Sequence, residues 1–488
     1  MIHPNSLTRR DALYIAGTWT EDPARAWIDV ESPVTEEVIG RVPAATTADV
    51  DRAVAAAVEL HRQGHWRNRG IVERAKALAA IADGIERRAA DFEALYTLDQ
   101  GGLAAFAHFT AATAAAVFRD SEPLAQQLDL GPTRRDTTTG SVYVSREPVG
   151  PVAAIVPWNA PLVLAAAKIA PALLAGCPVV IKISPETPLV SFVLAEVFAE
   201  ADLPVGLISF LPGDRDLGRY LTSRPGIGHI SFTGSTAAGR QVMATAAERM
   251  TRVTLELGGK SAALVLDDAE PEEFAPLLAA GCTVQTGQVC TTQSRLLVPA
   301  SKGKEWIDAL TRAFATLVVG DPADKNTAIG PLVSRAQLDR VESFVETARQ
   351  EGATVLTGGK KPTGSQFERG HWYSPTLITG TSPTMQINRE EVFGPVITVE
   401  TYEDLEAGIE AVNDTEFGLS NGIFTSDVDR ALAIAPRLES GVVAINSAGP
   451  NITAPFGGLK MSGMGREGGI EGVEEFLETK QVNLPESS

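Results

Sequence analysis

Cysteine is scarce in this chain: Cys177, Cys282 and Cys290 are the only three among 488 residues. None sits in a Cys-x-x-Cys pair or beside histidines at ligand spacing, so neither a disulfide framework nor a metal centre is expected. Unpaired thiols suit a reducing compartment and leave sulfur available for chemistry. Long hydrophobic runs are missing too. Nothing reaches the ~20 consecutive apolar residues of a membrane helix, and the Ala-rich stretch at 103–117 is short and broken by His108 and Thr110. Residues 1–12 lack the apolar core of a secretory signal, which makes the cytoplasm the expected location. Positive charge is in deficit: 42 Lys and Arg against 61 Asp and Glu give a net charge of −19. The basic residues are scattered, so neither nucleic acid nor a membrane surface is an expected partner.

What is present reads as a soluble enzyme-sized chain. The length allows about three domains at ~150 residues each, and 44% hydrophobic with 21% charged residues is ordinary globular composition. Apolar residues recur at helical spacing over 49–61 and 72–98. From 147 to 266, short Val/Ile-rich runs (152–156, 179–183, 207–211, 229–232, 253–255) alternate with amphipathic segments at 162–174, 189–201 and 237–247. That alternation signals βαβ units and a parallel sheet. A second alternating block follows, with strands expected at 294–298, 353–357, 396–401 and 441–446. The expected fold is therefore α/β, two domains with parallel-type sheets joined near 257–260.

Five places carry chemistry. The strand 229–232 runs into Thr-Gly-Ser-Thr-Ala-Ala-Gly (233–239) and then a helix. This arrangement gathers free N–H groups and a dipole end suited to phosphate, although the GxGxxG fingerprint is missing. Lys182 ends the apolar strand 179–183, where ligands of open α/β sheets bind. Asn159, in Pro-Trp-Asn after the strand 152–156, offers an amide donor for an oxyanion; helix capping is the plain alternative. Glu256, between Leu255 and Leu257, is a carboxylate in an apolar setting that should raise its pKa toward that of a useful base. Cys290, after Gly-Gln-Val, is either a buried structural cysteine or a soft nucleophile for a carbonyl.

Taken in order, PWN (157–159), VVIKISPETP (179–188), FTGSTAAG (232–239), LELGGK (255–260), GQVC (287–290) and EEVFGPV (390–396) resemble the aldehyde dehydrogenase superfamily. NDTEFGLSNGIF (413–424) and PFGGLKMSGMGREGG (455–469) extend the likeness over nearly the whole chain. The resemblance implies a non-acylating, NAD(P)-dependent oxidation of an aldehyde to its acid. Cys290 would form a thiohemiacetal and then a thioester; Asn159 and the Cys290 N–H would hold the oxyanion; Glu256 would activate water. Lys168 and Glu467 are implied in proton relay. Lys182 and Ser235 are implied at the adenosine and pyrophosphate of the cofactor, with Glu391 at the nicotinamide ribose and Phe393 beside it. Ile155, Pro157, Trp158, Ser184, Pro185, Gly213, Phe232, Gly234 and Leu257 complete the implied cofactor site. The implied domains are a Rossmann-like dinucleotide-binding unit (1–123 and 140–257) and a catalytic unit (258–451). A small β oligomerisation arm (124–139 and 470–488) and a returning segment (452–469) complete the chain, and a homodimer or homotetramer is expected.

Two departures stand out. Pro185 occupies the place where NAD-preferring relatives carry a glutamate, with Glu186 one step on; NAD stays the expected cofactor, NADP not excluded, because no extra Arg or Lys is expected to adjoin the site. The implied substrate tunnel is small or aliphatic at Ala160, Leu164, Ala167, Val289, Thr291 and Pro450, where several relatives are aromatic, and Phe456 completes it. It has no Arg or Lys, so a bulky hydrophobic aldehyde is expected. The alternative, a cysteine esterase on the same site, leaves the cofactor segments without purpose.

Overall fold

The computed structural model describes residues 11–447 and 449–484. Residues 1–10 of the expected dinucleotide-binding unit and 485–488 of the expected arm lie outside the described residues. The β-branched run Val179–Ile183 is buried throughout, as a strand covered on both faces must be. It belongs to a six-stranded sheet in the order Gly463–Met464, Arg252–Glu256, His229–Thr233, Val152–Ile155, Val179–Ile183, Ile208–Pro212. All of its pairings are parallel except the first. The chain fills the sheet outward from Val152–Ile155, first to one side and then to the other, which creates a switch point beside that strand. Helix Pro161–Ala175 opens on a proline at its start, ends at Gly176 (φ 106°) and is buried over most of its length because it lies across the sheet.

Residues 257–260 then lead to a second sheet of seven strands, in the order Thr354–Thr357, Thr376–Thr379, Val396–Tyr402, Arg295–Pro299, Ala262–Val265, Ser420–Phe424, Val442–Ile445. Only the outermost pair, Thr354–Thr357 with Thr376–Thr379, runs antiparallel. Ala262–Val265, Thr376–Thr379 and Ser420–Phe424 escape the sequence reading because they are short and rich in Ala, Thr, Ser or Gly. The stretch 72–98 is two helices, Ile71–Arg87 and Ala89–Leu98, broken at Arg88 where φ −101° and ψ 13° leave the helical region.

The arm differs from expectation. Residues 121–127 are helical, and Gly140–Pro148, assigned above to the dinucleotide-binding unit, is the central strand of a three-stranded sheet. It pairs antiparallel with Thr133–Thr137 on one edge and Leu477–Asn483 on the other. Its side chains are half-buried on both faces, so it lacks the clean alternation that marks a strand in sequence. No helix among the described residues is long and apolar enough to cross a membrane.

Gly463 pairs with Glu256 across the edge of the first sheet. Its φ is +132°, and a Cβ there would stand 1.8 Å from the Leu255 carbonyl oxygen. Gly463→Ala should therefore push the returning strand off the strand that carries Glu256. A loss of about 2 kcal/mol or more in denaturant unfolding is expected; an unchanged midpoint would refute this account.

Candidate active site

At the switch point the first sheet opens into a cleft of about 380 Å³. One wall is Ile155–Trp158, where the chain leaves its strand; the other is Phe232–Ser235, where the next strand turns into helix Thr236–Ala247. Ser235 caps that helix, its hydroxyl oxygen accepting the Ala238 N–H at 3.3 Å, so the helix dipole and its free amides face the cleft. Lys182 lies at the floor, only 7% exposed. Burial lowers its pKa, while the nearby carboxylates of Glu186 and Asp214 hold its charge in place. Of the expected cofactor residues, Ile155, Pro157, Trp158, Lys182, Ser184, Pro185, Phe232, Gly234 and Ser235 line this cleft.

Gly213 and Leu257 do not. A Cβ at Gly213 would meet Leu217 at 2.3 Å, making it a packing position behind the wall. Leu257 is buried beneath Gly239, its N–H bonded to the Ser462 carbonyl at 2.9 Å. The sequence reading also missed part of the rim. Glu186 lines the cleft and accepts a hydrogen bond from Ser184 Oγ; Asp214, Arg215 and Arg219 line it from helix Arg215–Thr222. Contrary to expectation, two further basic residues, Arg215 and Arg219, therefore adjoin the site. Asp214 before a helical stretch carries a capping signal that could have revealed this helix; its Oδ1 accepts the Leu217 N–H at 3.0 Å.

Cys290, Glu256, Asn159 and Glu391 come to the junction of the two sheets. Asn159 does not cap the helix after it: the N-cap position is Ala160, without a side-chain bond. Instead its Nδ2 donates to the Gln288 carbonyl at 3.0 Å, two residues before Cys290. Cys290 is partly exposed, and burial together with the negative charges of Glu391 and Glu256 pushes its thiol pKa up. The loop before it holds Gln285 (φ 51°), Thr286 (φ 57°) and Gly287 (φ 70°) in the left-handed region, at about 1–2 kcal/mol for each non-glycine. Bonds from Thr286 Oγ1 to the Gly330 carbonyl (3.1 Å) and from the Val333 N–H to Gln288 Oε1 (3.0 Å) hold it there.

Glu256 ends its strand 3% exposed, with no hydrogen-bond partner for either carboxylate oxygen. Burial raises its pKa well above the carboxylate range, and the charge of Glu467 adds to this; Lys168 and Arg466 pull it down. Lys168 is fully buried, paired with Glu467 Oε1 and bonded to Ser231 Oγ at 3.1 Å. The segment past Glu256 threads between the other groups. The Gly259 N–H donates to Glu391 Oε1 at 3.1 Å, and a Cβ at Gly258 would lie 2.5 Å from Glu391 Oε2. Burial pushes Glu391 up to about 7. Phe393 (φ 62°) meets Trp158 edge-on, ring centroids 5.4 Å apart, joining this end of the site to the cleft.

The expected tunnel residues are dispersed around this junction. Ala167 lines a hollow of about 20 Å³ with Ile452 and Thr453, and Ala160 lines another of about 20 Å³ with Tyr96 and Gln100. Thr291 and Phe456 are buried, whereas Leu164, Val289 and Pro450 are half-buried. Phe456 and Glu467 exchange backbone bonds at 2.7 Å, which ties that wall to the Lys168 pair.

A doubly wound sheet with its cleft at the switch point, closed by a second α/β unit, is the architecture of a dinucleotide-dependent oxidoreductase. The chain belongs to the aldehyde dehydrogenase family, whose model matches residues 19–482. It is 40% identical over 473 residues to the geranial dehydrogenase of Castellaniella defragrans, covering 97% of this chain and 98% of that protein. It is 38% identical over 478 residues to a chloroplastic betaine aldehyde dehydrogenase of Beta vulgaris, covering 96% and 95%. Among solved structures, Mycobacterium tuberculosis aldehyde dehydrogenase complexed with NAD+ superposes at TM-score 0.95 with 40% identity, covering 98% of this chain and 99% of that one. Staphylococcus aureus betaine aldehyde dehydrogenase in complex with NAD+ superposes at 0.94 with 35% identity, covering 98% and 95%.

The two charges beside Glu256 act on it in opposite directions, so their removal should split the pH profile of aldehyde oxidation. Because the pKa of Glu256 is raised, its ionised form grows as pH rises. Glu467→Gln should move the rising limb to lower pH and Lys168→Met to higher pH. Movement of both limbs in the same direction would refute the electrostatic assignment.

Proposed function

We propose that this enzyme oxidises a bulky, hydrophobic aldehyde to the carboxylic acid with NAD. The observation that carries the reading is Glu256, buried, unpartnered and strongly raised in pKa, beside a thiol whose own pKa it perturbs. Cys290 Sγ gives its proton to the Glu256 carboxylate and adds as thiolate to the carbonyl carbon, whose oxygen takes up negative charge facing the Asn159 amide and the Cys290 N–H; Glu256 then releases that proton to solvent. NAD, when bound, supplies the acceptor for the hydride that the carbon then loses. Glu256 removes a proton from water, whose oxygen attacks the resulting thioester; the C–S bond breaks, and the acid and the Cys290 thiol are released.

The cofactor fit is supported by the cleft itself: a buried cation at its floor, helix amides at one wall and room between them. Glu186 favours NAD, since a carboxylate at the rim accepts ribose hydroxyls and repels a 2′-phosphate. The aliphatic character of Ala160, Leu164, Ala167, Val289 and Pro450, the residues expected along the substrate route, supports the substrate class. Quaternary ammonium groups are recognised by aromatic cages, and Phe456 is the one aromatic in this expected set. The reading thus leans toward the geranial dehydrogenase relative and away from the betaine aldehyde dehydrogenases. Assembly into a homodimer or homotetramer is supported by the arm strand Leu477–Asn483, exposed along most of its length. A cytoplasmic location is supported by three cysteines that are all free thiols.

Citral and benzaldehyde should be turned over with at least about tenfold higher kcat/KM than betaine aldehyde or succinic semialdehyde; preference for a charged aldehyde would overturn the substrate class. Cys290→Ala should abolish oxidation. Glu256→Gln should keep one rapid NADH release per site while steady turnover falls about 10²–10⁴-fold; a lost burst would remove Glu256 from the water step. By calorimetric titration, Glu186→Gln should narrow the ratio of NADPH to NADH dissociation constants by about tenfold; an unchanged ratio would assign the discrimination elsewhere.

A further inference from the structure

The two donors of the proposed oxyanion site come from different sheets. Asn159 follows Val152–Ile155 in the first sheet; Cys290 precedes Arg295–Pro299 in the second. Donors of this kind act only when both point at one place, so something must register the two units at this spot.

Asn159 is gripped at both ends. Its backbone carbonyl oxygen accepts hydrogen bonds from Gln100 Nε2 and Gln285 Nε2, while its side-chain Nδ2 donates to the Gln288 carbonyl at 3.0 Å. Fixing the carbonyl fixes the peptide plane at Asn159 and with it the direction of the Cα–Cβ bond. The side-chain amide carries two N–H groups; Gln288 takes one, and the other is left for an oxygen at Cys290. The bonding is reciprocal, since the left-handed loop both gives an amide to Asn159 through Gln285 and receives one through Gln288. Gln288 Nε2 also donates back to the Gln285 carbonyl at 3.3 Å, closing the loop on itself. Gln100, only 4% exposed, holds the same carbonyl from the first unit.

We propose that Gln285, together with Gln100, is a positioning residue that aims the Asn159 amide at the carbonyl oxygen bound on Cys290. Gln285 reaches from the nucleophile's own loop, so it sets the distance between the two donors as well as the orientation of one. This rests on the reading of Asn159 and Cys290 given above.

The test is Gln285→Met, which removes the donor at similar volume, with Gln100→Met as the same cut from the other side. Single-turnover hydride transfer should fall about 10²-fold, the scale of a small misplacement of catalytic groups. NADH affinity by calorimetric titration, alkylation of Cys290 by iodoacetamide and the thermal midpoint should stay near wild type. Gln285→Glu, which sets a carboxylate against the carbonyl, should not recover the rate at neutral pH. Transfer within threefold of wild type in both methionine variants would overturn the proposal. So would a loss matched by equal losses of NADH affinity and thiol reactivity, since that pattern means the loop has collapsed. The underlying reading is tested separately: full activity in Asn159→Ala or Cys290→Ala would sink it whatever the glutamine variants do.

Discussion

An ionised carboxylate without donors costs several kcal/mol in a protein interior, and a chain that buries one must make its charge tolerable by other means. Glu256 is a carboxyl in that position, and burial answers the constraint by raising its pKa well above the carboxylate range, toward the neutral form. Its strand is the last parallel strand of the first sheet, pinned on one side by His229–Thr233 and on the other by the returning strand at Gly463–Met464. The Glu256 carbonyl accepts the Gly234 N–H at 3.1 Å, so the end of the strand is tied to the turn that forms the cleft wall. No donor is offered to the side chain. Lys168 could have neutralised it directly, but Lys168 is already paired with Glu467 and Ser231. Glu256 is left in a field of opposed charges, strongly raised in pKa and ready to change protonation state.

The same logic governs the neighbouring pair across the junction. Lys260 is 1% exposed with no hydrogen-bond partner for Nζ, and burial, reinforced by Arg295, lowers it to about 7. Glu391, raised to about 7 by burial, is drawn back by Arg340 and Lys260 and by the Gly259 N–H. Acid and base thus approach neutrality from opposite sides at the point where residues 257–260 cross between the sheets. Such a pair is held by position rather than by a short salt bridge, so the charge it carries is sensitive to what lies in the adjoining groove.

The sequence was legible where periodicity and chemistry coincide. The parallel strands of the first sheet are short runs that each contain Val or Ile, and the motif residues at 159, 256 and 290 stand at strand ends or in the loops that meet there. Gly140–Pro148 was misassigned because its faces are equally half-buried, which erases alternation. Arg215 and Arg219 were missed because nothing in the local pattern brings helix Arg215–Thr222 to the rim; that comes from the next strand, His229–Thr233, crossing to the far side of Val152–Ile155. Gly213 and Leu257 came to the site only through the family resemblance. One residue past the end of its strand, the Leu257 side chain packs against Gly239, and Gly213 lies against Leu217. Gln100 and Gln285 carry no signal at all, since a glutamine's role depends on which carbonyl tertiary structure brings within its reach.

The raised thiol of Cys290 bears on the order of events in the proposed reaction. Attack needs a thiolate, yet burial and the neighbouring Glu391 and Glu256 carboxylates raise the thiol pKa. A thiol held neutral is also less prone to oxidation. If the proton passes from Sγ to Glu256, the carboxylate charge that opposed the thiolate vanishes as the thiolate forms, and the junction carries the same total charge before and after. A fixed cation could stabilise the thiolate equally well, but it would keep the thiol ionised and exposed to oxidants throughout. In the proposed scheme, coupling the nucleophile to a buried carboxylate would confine its activation to the turnover itself, and the carboxylate would have to release that proton before activating water. The Lys168–Glu467 pair stands beside that carboxylate, and its two charges act on Glu256 in opposite directions.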